Sequence, residues 1–421
     1  MLSYINLRYK PKKEDLVVEY YLEPNRISLE RAACNVAAES SIGTWTDVKT
    51  LNKKIIKEYK PNVFYIDEKE KVVKISYNSE LFEKGNMPQI LSSIAGNIFG
   101  MRIIKNLRLE DIHFPKSIIK SFKGPEYGIK GIRELLRIKN RPLTGTIIKP
   151  KLGLNAKQHA DVALEAWLGG VDIVKDDENL ADMKFNKFEK RVEETLKARN
   201  RAEKETGEKK IYMPNVTAET NEMLRRAKYV KKLGGEYVMV DIITAGFSTL
   251  QTLRDAKLDL VIHAHRAGHA AFTRHKHGIS MLAIAKIARL IGVDQLHIGT
   301  AHVGKMDSDV KEVTDIGDEI EDKLIPENIT GHILEQRWYN IKPVLAVASG
   351  GLHPRSVPKL LQRMGKNIVI QAGGGIHGHP DGTRAGATAI RQAVDATMRK
   401  ISLREYAKTH IALKRALERW H

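Results

Sequence analysis

The chain has 421 residues, 42% apolar and 29% charged, enough apolar material for a large core and too much for general disorder. It has no apolar run near the roughly 18 residues of a membrane span, its charged N-terminus MLSYINLRYKPKKEDLVVEY does not read as a signal peptide, and its one cysteine, Cys34, excludes an intrachain disulfide framework and a multi-cysteine zinc site. The net charge of +19 (70 Lys and Arg against 51 Asp and Glu) is spread along the chain and interleaved with acids, which suits attraction of anionic metabolites better than nucleic acid.

The first 125 residues read as an α+β domain. DLVVEYYLEP (15–24) alternates like a strand and ISLERAACNVAAESS (27–41) is helical. VFYIDEKEKVVKISYN (63–78) looks like a hairpin, MPQILSSIAGNIFG (87–100) like a helix ending in glycine, and IKNLRLEDIHF (104–114) like a strand. The order β-α-β-β-α-β is ferredoxin-like. Residues 115–140 join this domain, 1–125, to the second, 126–421.

From about residue 140 one rhythm repeats. Short β-branched runs at 143–150, 171–175, 211–216, 236–243, 259–265, 294–299, 342–350 and 367–375 alternate with helical stretches. Buried, non-alternating strands in eight strand–helix units predict a parallel (β/α)8 TIM barrel followed by C-terminal helices. A doubly wound open sheet is the alternative, but it usually leaves its ligand site at one switch point. Here unusual polar residues follow nearly every strand.

In such a barrel the site gathers at the C-terminal strand ends. Those ends supply Lys149 and Lys151; Lys175, Asp176, Asp177 and Glu178; His263, His265 and Arg266; His297, then Lys305 in the next loop; Ser349, Gly350 and Gly351; and Gly373, Gly374 and Gly375. In VDIVKDDEN (171–179), Asp177 and Glu178 are hard oxygen donors suited to Mg²⁺. Lys175 shares a face with Asp177 if the strand runs that far. It would oppose a metal as an ammonium, but as a CO₂-derived carbamate it would add an oxygen ligand. The nearby acids should raise the lysine pKa and resist that step. KDDE alone also fits an ion-paired, solvated acidic turn. The loops ASGG (348–351) and AGGGIHGHP (372–380) occupy a barrel's usual phosphate position, and Lys305 could close over a bound anion. In HAHRAGHAAFTRHKHG (263–278), His263 and His265 share a strand face, where one can do acid–base work while Arg266 binds an anion. A zinc cluster of His263, His265 and His269 is the competing reading, and His275 and His277 read as surface residues.

GTIIKPKLGL, GGVDIVKDDEN, HAHRAGHA, HIGTAHVGK, VASGGLHP and AAESSIGTWTDV (37–48) together resemble the large subunit of ribulose-1,5-bisphosphate carboxylase/oxygenase (RuBisCO), over about residues 15–410. The resemblance implies Mg²⁺-dependent carboxylation of ribulose 1,5-bisphosphate to two 3-phosphoglycerate, with O₂ as the side substrate. It implies Lys175 carbamylated by an activator CO₂, with Asp177 and Glu178 as the other Mg²⁺ ligands. The carbamate would take the C3 proton to form an enediolate that Mg²⁺ stabilises. His265 would share the proton traffic, Lys305 would orient CO₂, and Lys149 would protonate the final carbanion with Lys151 adjusting its pKa. Arg266 and His297 would hold one phosphate, with Ser349, Gly350, Gly351, Gly373 and Gly374 as further substrate contacts. Glu39, Thr44, Trp45 and Asn97 match residues that reach a neighbouring subunit's site, which implies at least a homodimer.

Ile147 replaces a threonine of the plant enzymes, His302 lies in a one-residue insertion in the lid loop, and Ser308 stands where glycine is usual. The length and the KPKLGLNAKQHA context look more like archaeal-type form III enzymes. Those are associated with nucleotide salvage from AMP-derived ribose bisphosphate and need no small subunit. A RuBisCO-like enolase or isomerase is the rival, weighed against by Glu39, Asn97, Lys149, His297 and Lys305. A nucleic-acid binder is suggested by charge alone, with no aromatic interleaving or basic tail. No nucleic-acid or membrane partner is expected, and a cytoplasmic location is.

Overall fold

The computed structural model describes residues 3–44, 46, 48–305 and 309–420. The chain packs as two compact units: residues 1–124, 268–291 and 322–341 form the first, and 125–267, 292–321 and 342–421 the second.

In the first unit, strands β1 (Asp15–Pro24), β2 (Asn62–Asp67), β3 (Val72–Asn78) and β4 (Ile104–His113) are antiparallel neighbours in the order β4-β1-β3-β2. With helices α1 (Leu29–Glu39) and α3 (Met87–Ile94) they make the expected ferredoxin-like arrangement. Ser28 caps α1 by accepting from Arg31 N–H. A helix that the sequence reading lacked, α2 (Lys53–Tyr59), follows Asn52, which accepts from Lys54 and Ile55 N–H. The helix Met87–Ile94 stops before Gly100; a separate 3₁₀ turn covers Asn97–Gly100.

The second unit contains strands β5 (Leu143–Ile147), β6 (Ile173–Lys175), β7 (Ile211–Met213), β8 (Tyr237–Asp241) and β9 (Val261–His265). A short β10 (Gly278–Ile279) belongs instead to the first unit, where it runs parallel to β4 and makes that sheet mixed. Strand β11 (Gln295–His297) returns to the barrel, β12 (Leu324–Ile325) and β13 (Gln336–Arg337) pair with each other, and β14 (Leu345–Ser349) and β15 (Ile368–Gln371) complete it. The barrel order is β7-β6-β5-β15-β14-β11-β9-β8, all parallel. A parallel bridge between Asn215 and Met239 joins the two ends.

The linker is structured: α4 (Lys116–Ile119) is in the first unit and α5 (Gly128–Leu136) in the second. Ile129, Ile132 and Leu136 of α5 pack among Leu143, Ile173, Val261 and Val369, so α5 closes the N-terminal end of the barrel. Each such side chain contributes roughly 1.5–3 kcal/mol on burial. Two aspartates fix the same end. Asp172 accepts from Thr144 N–H (2.8 Å) and from both arms of Arg141 (2.7 Å each). Asp294 accepts from Tyr127 N–H (2.7 Å), Ile262 N–H (3.0 Å) and Arg254 (2.5 Å). With this end sealed by apolar packing and ion pairs, the opposite rim is left for chemistry.

Candidate active site at the C-terminal rim of the barrel

Strand β6 ends at Lys175, so Asp177 lies beyond it and the period-two argument for a shared face does not apply. Lys175 is fully buried; its Nζ donates to Asp176 O (2.6 Å) and lies 3.7 Å from Glu178 Oε2. The nearby acids do raise its pKa, as expected, but burial outweighs them. Burial pulls the ammonium below the ordinary lysine range, and Glu178, Asp177 and Asp241 offset only part of that. A lysine biased toward its neutral amine is better prepared to react with CO₂.

The carboxylates divide by task. Asp176 is structural: its buried side chain accepts from Arg191 Nε (3.0 Å), Tyr212 OH (2.8 Å) and Asn215 N–H (3.0 Å), with His159 Nε2 at 3.1 Å. Burial would raise its pKa, but Arg191 and His159 hold it well below the usual carboxylate range. Asp177 and Glu178 point to a different use. Lys149 Nζ, from the segment after β5, bonds Asp177 Oδ2 at 2.7 Å. Glu178 Oε2 lies 3.8 Å from His265 Nε2. Among the described residues no three His, Cys, Asp or Glu are grouped to hold a metal.

His265 Nδ1 lies 2.5 Å from Asp241 Oδ1, at the end of β8. Asp241 was missed in the sequence, although an aspartate ending the apolar run YVMV is the signal the other strands gave. Asn215, after β7, was missed for the same reason; its Nδ2 donates to Glu178 O (3.1 Å) and Leu180 O (3.2 Å). His263 spends one ring nitrogen on Gln295 (2.8 Å) and the other on His297 (2.9 Å), which removes it from the zinc alternative. Burial, followed by the charge of Lys175, pushes His263 down to about 3, and burial holds His297 well below its usual value.

Arg266 has no hydrogen-bond partner among the described residues, and burial brings its pKa down to about 10. An under-compensated guanidinium calls for an anion. The peptide N–H groups of Gly373, Gly374 and Gly375 likewise donate to no acceptor among the described residues. At Gly373 a Cβ would sit 3.3 Å from Lys149 Cε, so this loop passes beside Lys149. Lys305 N–H donates to Gly350 O (2.9 Å), and a Cβ on Gly351 (φ +78°) would meet Lys305 Cβ at 2.7 Å. The chain at Lys305 therefore rests on the loop after β14. A cavity of about 380 Å³ opens there, lined by Lys305, Gly351, His353, Gly374, Arg419 and Trp420. Trp420 stacks on His353 (centroids 5.8 Å apart, 6° between planes), a contact nothing in the sequence signals.

Other expected residues fall elsewhere. Lys151 is exposed, 3.4 Å from Asn179 Oδ1. Ile147 ends β5 and is buried. His302 is exposed with φ 58°, while Ser308 and Trp45 lie outside the described residues. Glu39, Thr44 and Asn97 belong to the first unit, where α1, which ends at Glu39, packs on the 3₁₀ turn that Asn97 begins. His275 and His277 are exposed. No helix among the described residues is long and apolar enough to cross a membrane.

Two family descriptions match: "Ribulose bisphosphate carboxylase large chain, N-terminal domain" over residues 3–118 and "Ribulose bisphosphate carboxylase large chain, catalytic domain" over 128–420. The ribulose bisphosphate carboxylase of Methanosarcina mazei is 53% identical over 99% of each chain, and that of Methanocaldococcus jannaschii 52% identical over 100% of each. Among solved structures, the octameric RuBisCO of Pyrococcus horikoshii, in complex with sulfate, superposes with a TM-score of 0.93 (48% identity, 99% of this chain and 96% of that one). The dimeric archaeal RuBisCO of Hyperthermus butylicus gives 0.94 (47% identity, 99% and 98%).

Proposed function

The chain belongs to the ribulose bisphosphate carboxylase large-chain family, in its archaeal form III branch, and is a ribulose bisphosphate carboxylase; from that premise we propose how its barrel performs the reaction. The observation that carries the proposal is the convergence of Lys149, Lys175, Asp177, Glu178, Asp241 and His265 at one rim, with the free donors of Arg266 and the glycine loop beside them.

Lys175, as the carbamate of an activator CO₂, would join Asp177 and Glu178 in holding Mg²⁺. Bound there, the metal would supply Lewis-acid stabilisation of negative charge on the substrate's oxygens. His265 presents its Nδ1–H to Asp241, which leaves Nε2 as an acceptor for a substrate hydroxyl proton. Lys149 is paired with Asp177. A cation on Asp177 would release it to deliver a proton to the last carbanion. Lys305 would orient CO₂ and the new carboxylate from the lid. The substrate, ribulose 1,5-bisphosphate, carries about four negative charges. Arg266 and His297 would take one phosphate; Ser349, Gly350, Gly351, Gly373 and Gly374 would serve the rest of it, with Lys151 near the entrance. O₂ would enter as the competing electrophile.

Glu39, Thr44, Trp45 and Asn97 would complete the site of a second copy, which makes a homodimer the working minimum; the archaeal relatives described as dimeric and octameric are consistent with this. The domain division at 125/126 and a supply of substrate from nucleotide salvage are part of the same reading. The test is 3-phosphoglycerate formation from ribulose bisphosphate and labelled bicarbonate, anaerobically and at elevated temperature. The protein is pre-incubated with CO₂ and Mg²⁺, with Lys175→Ala as control. Label that disappears in the variant supports the reading. No label from folded, activated protein rejects it.

A further inference from the structure

Gln295, His263 and His297 form a buried line between β11 and β9. His263 Nδ1 lies 2.8 Å from Gln295 Oε1, and His263 Nε2 lies 2.9 Å from His297 Nε2. Gln295 and His263 are fully buried and His297 is 5% exposed. A neutral imidazole has one N–H and one lone pair, so each contact fixes the next.

With Gln295 Oε1 accepting, His263 donates from Nδ1 and accepts at Nε2. His297 must then donate from Nε2, and its Nδ1 is a lone pair. This arrangement leaves Gln295 Nε2 buried with no acceptor. A buried N–H without a partner is rarer than an under-satisfied carbonyl oxygen. Exchanging the amide oxygen and nitrogen keeps the shape and leaves only Oε1 without a partner, the less costly arrangement. Gln295 Nε2 then donates to His263 Nδ1, His263 donates from Nε2 to His297, and His297 carries its proton on Nδ1. Each ring keeps one proton throughout.

His297 Nδ1 has no partner among the described residues, which leaves it to a ligand. A phosphate dianion is repelled by a lone pair and bound by an N–H. We propose that Gln295 is a positioning residue for anion recognition: its amide N–H donates to His263 and so holds His297 as the Nδ1–H tautomer, ready for a phosphate beside Arg266. The inference rests on the reading of Arg266 and His297 as a phosphate site. Gln295 touches no substrate and acts through His263.

The test uses the whole homo-oligomer, with inorganic phosphate as the probe. Ring ¹⁵N NMR of histidine-labelled protein reads the tautomers, with His297 assigned by the signals lost in His297→Gln. With and without phosphate, His297 is expected protonated on Nδ1 and His263 on Nε2. Gln295→Met keeps the length and removes the amide. It is expected to weaken phosphate binding about tenfold and to raise KM for ribulose bisphosphate by a similar factor, with kcat changed less than about threefold. A wild-type His297 protonated on Nε2 overturns the proposal, as does unchanged phosphate affinity in Gln295→Met. If that variant does not fold, the wild-type spectra decide. The spectra need no turnover, so a failed carboxylation assay with the expected tautomers would reject the proposed function alone.

Discussion

Arg191→Met is expected to lower the apparent melting temperature of the barrel by about 8 °C. Arg191 is fully buried and donates to Asp176 Oδ2 (3.0 Å), Asn186 O (3.0 Å) and Ala181 O (2.8 Å). Methionine keeps the apolar stem and strands the Asp176 carboxylate in the interior. Breaking one side of a buried pair costs about 3–5 kcal/mol, and about 4 kcal/mol is taken here. The second unit, of roughly 250 residues, has an unfolding entropy near 0.5 kcal/mol/K at about 2.1 cal/mol/K per residue, which converts that loss to about 8 °C. Calorimetry of activated wild type, Arg191→Met and Arg191→Met/Asp176→Asn reads it. The double variant should recover part of the loss, because the orphaned charge is gone. Turnover of the single variant should fall as well, since Asp176 O is the acceptor for Lys175 Nζ. A single variant melting within about 1 °C of wild type would refute the assignment of Asp176 as the structural acid of the KDDE turn.

Asp241→Asn should leave folding intact and lower kcat about 10–100-fold, because the amide no longer fixes the His265 tautomer; an unchanged kcat would separate Asp241 from the chemistry. Gly351→Ala places a Cβ 2.7 Å from Lys305 Cβ at a φ of +78°, so KM for ribulose bisphosphate should rise at least about tenfold; kinetics identical to wild type would show that the chain at Lys305 does not need this approach. Burial keeps His263 down at about 3 and His377 at about 4, below the 6.5 of an unfolded histidine. Their contribution to stability is therefore complete above pH 6.5 and is lost as pH falls toward those values, at about 1.4 kcal/mol per pH unit for each. Urea midpoints should be lower at about pH 5 than at about pH 7.5, and equal midpoints would contradict neutral burial of these rings.

The barrel was legible because strands buried on both faces leave continuous apolar runs, and because glycine or polar residues end each one. Helix α2 was not, since none of its residues is buried and KKIIKEY leaves no clear apolar stripe. That Lys149, Lys175, Asp177, Glu178 and His265 meet at the C-terminal strand ends could be read from position alone. The split between Asp176 and Asp177 could not, because it depends on Arg191, fifteen residues on, turning back to one carboxylate and Lys149 reaching the other. The direction of the Lys175 shift also escaped the sequence, which displays the neighbouring charges but not the depth of burial. Trp420 on His353 and Gln295 on His263 are tertiary contacts with no local pattern.

Carbon-13 NMR of the folded protein, equilibrated with ¹³CO₂ and Mg²⁺, tests the central assignment most directly. A carbamate resonance that appears in wild type and is absent from Lys175→Ala is the expected result. No carbamate in a preparation that carboxylates, or a carbamate that persists in Lys175→Ala, would contradict the placement of the activating group at the end of β6.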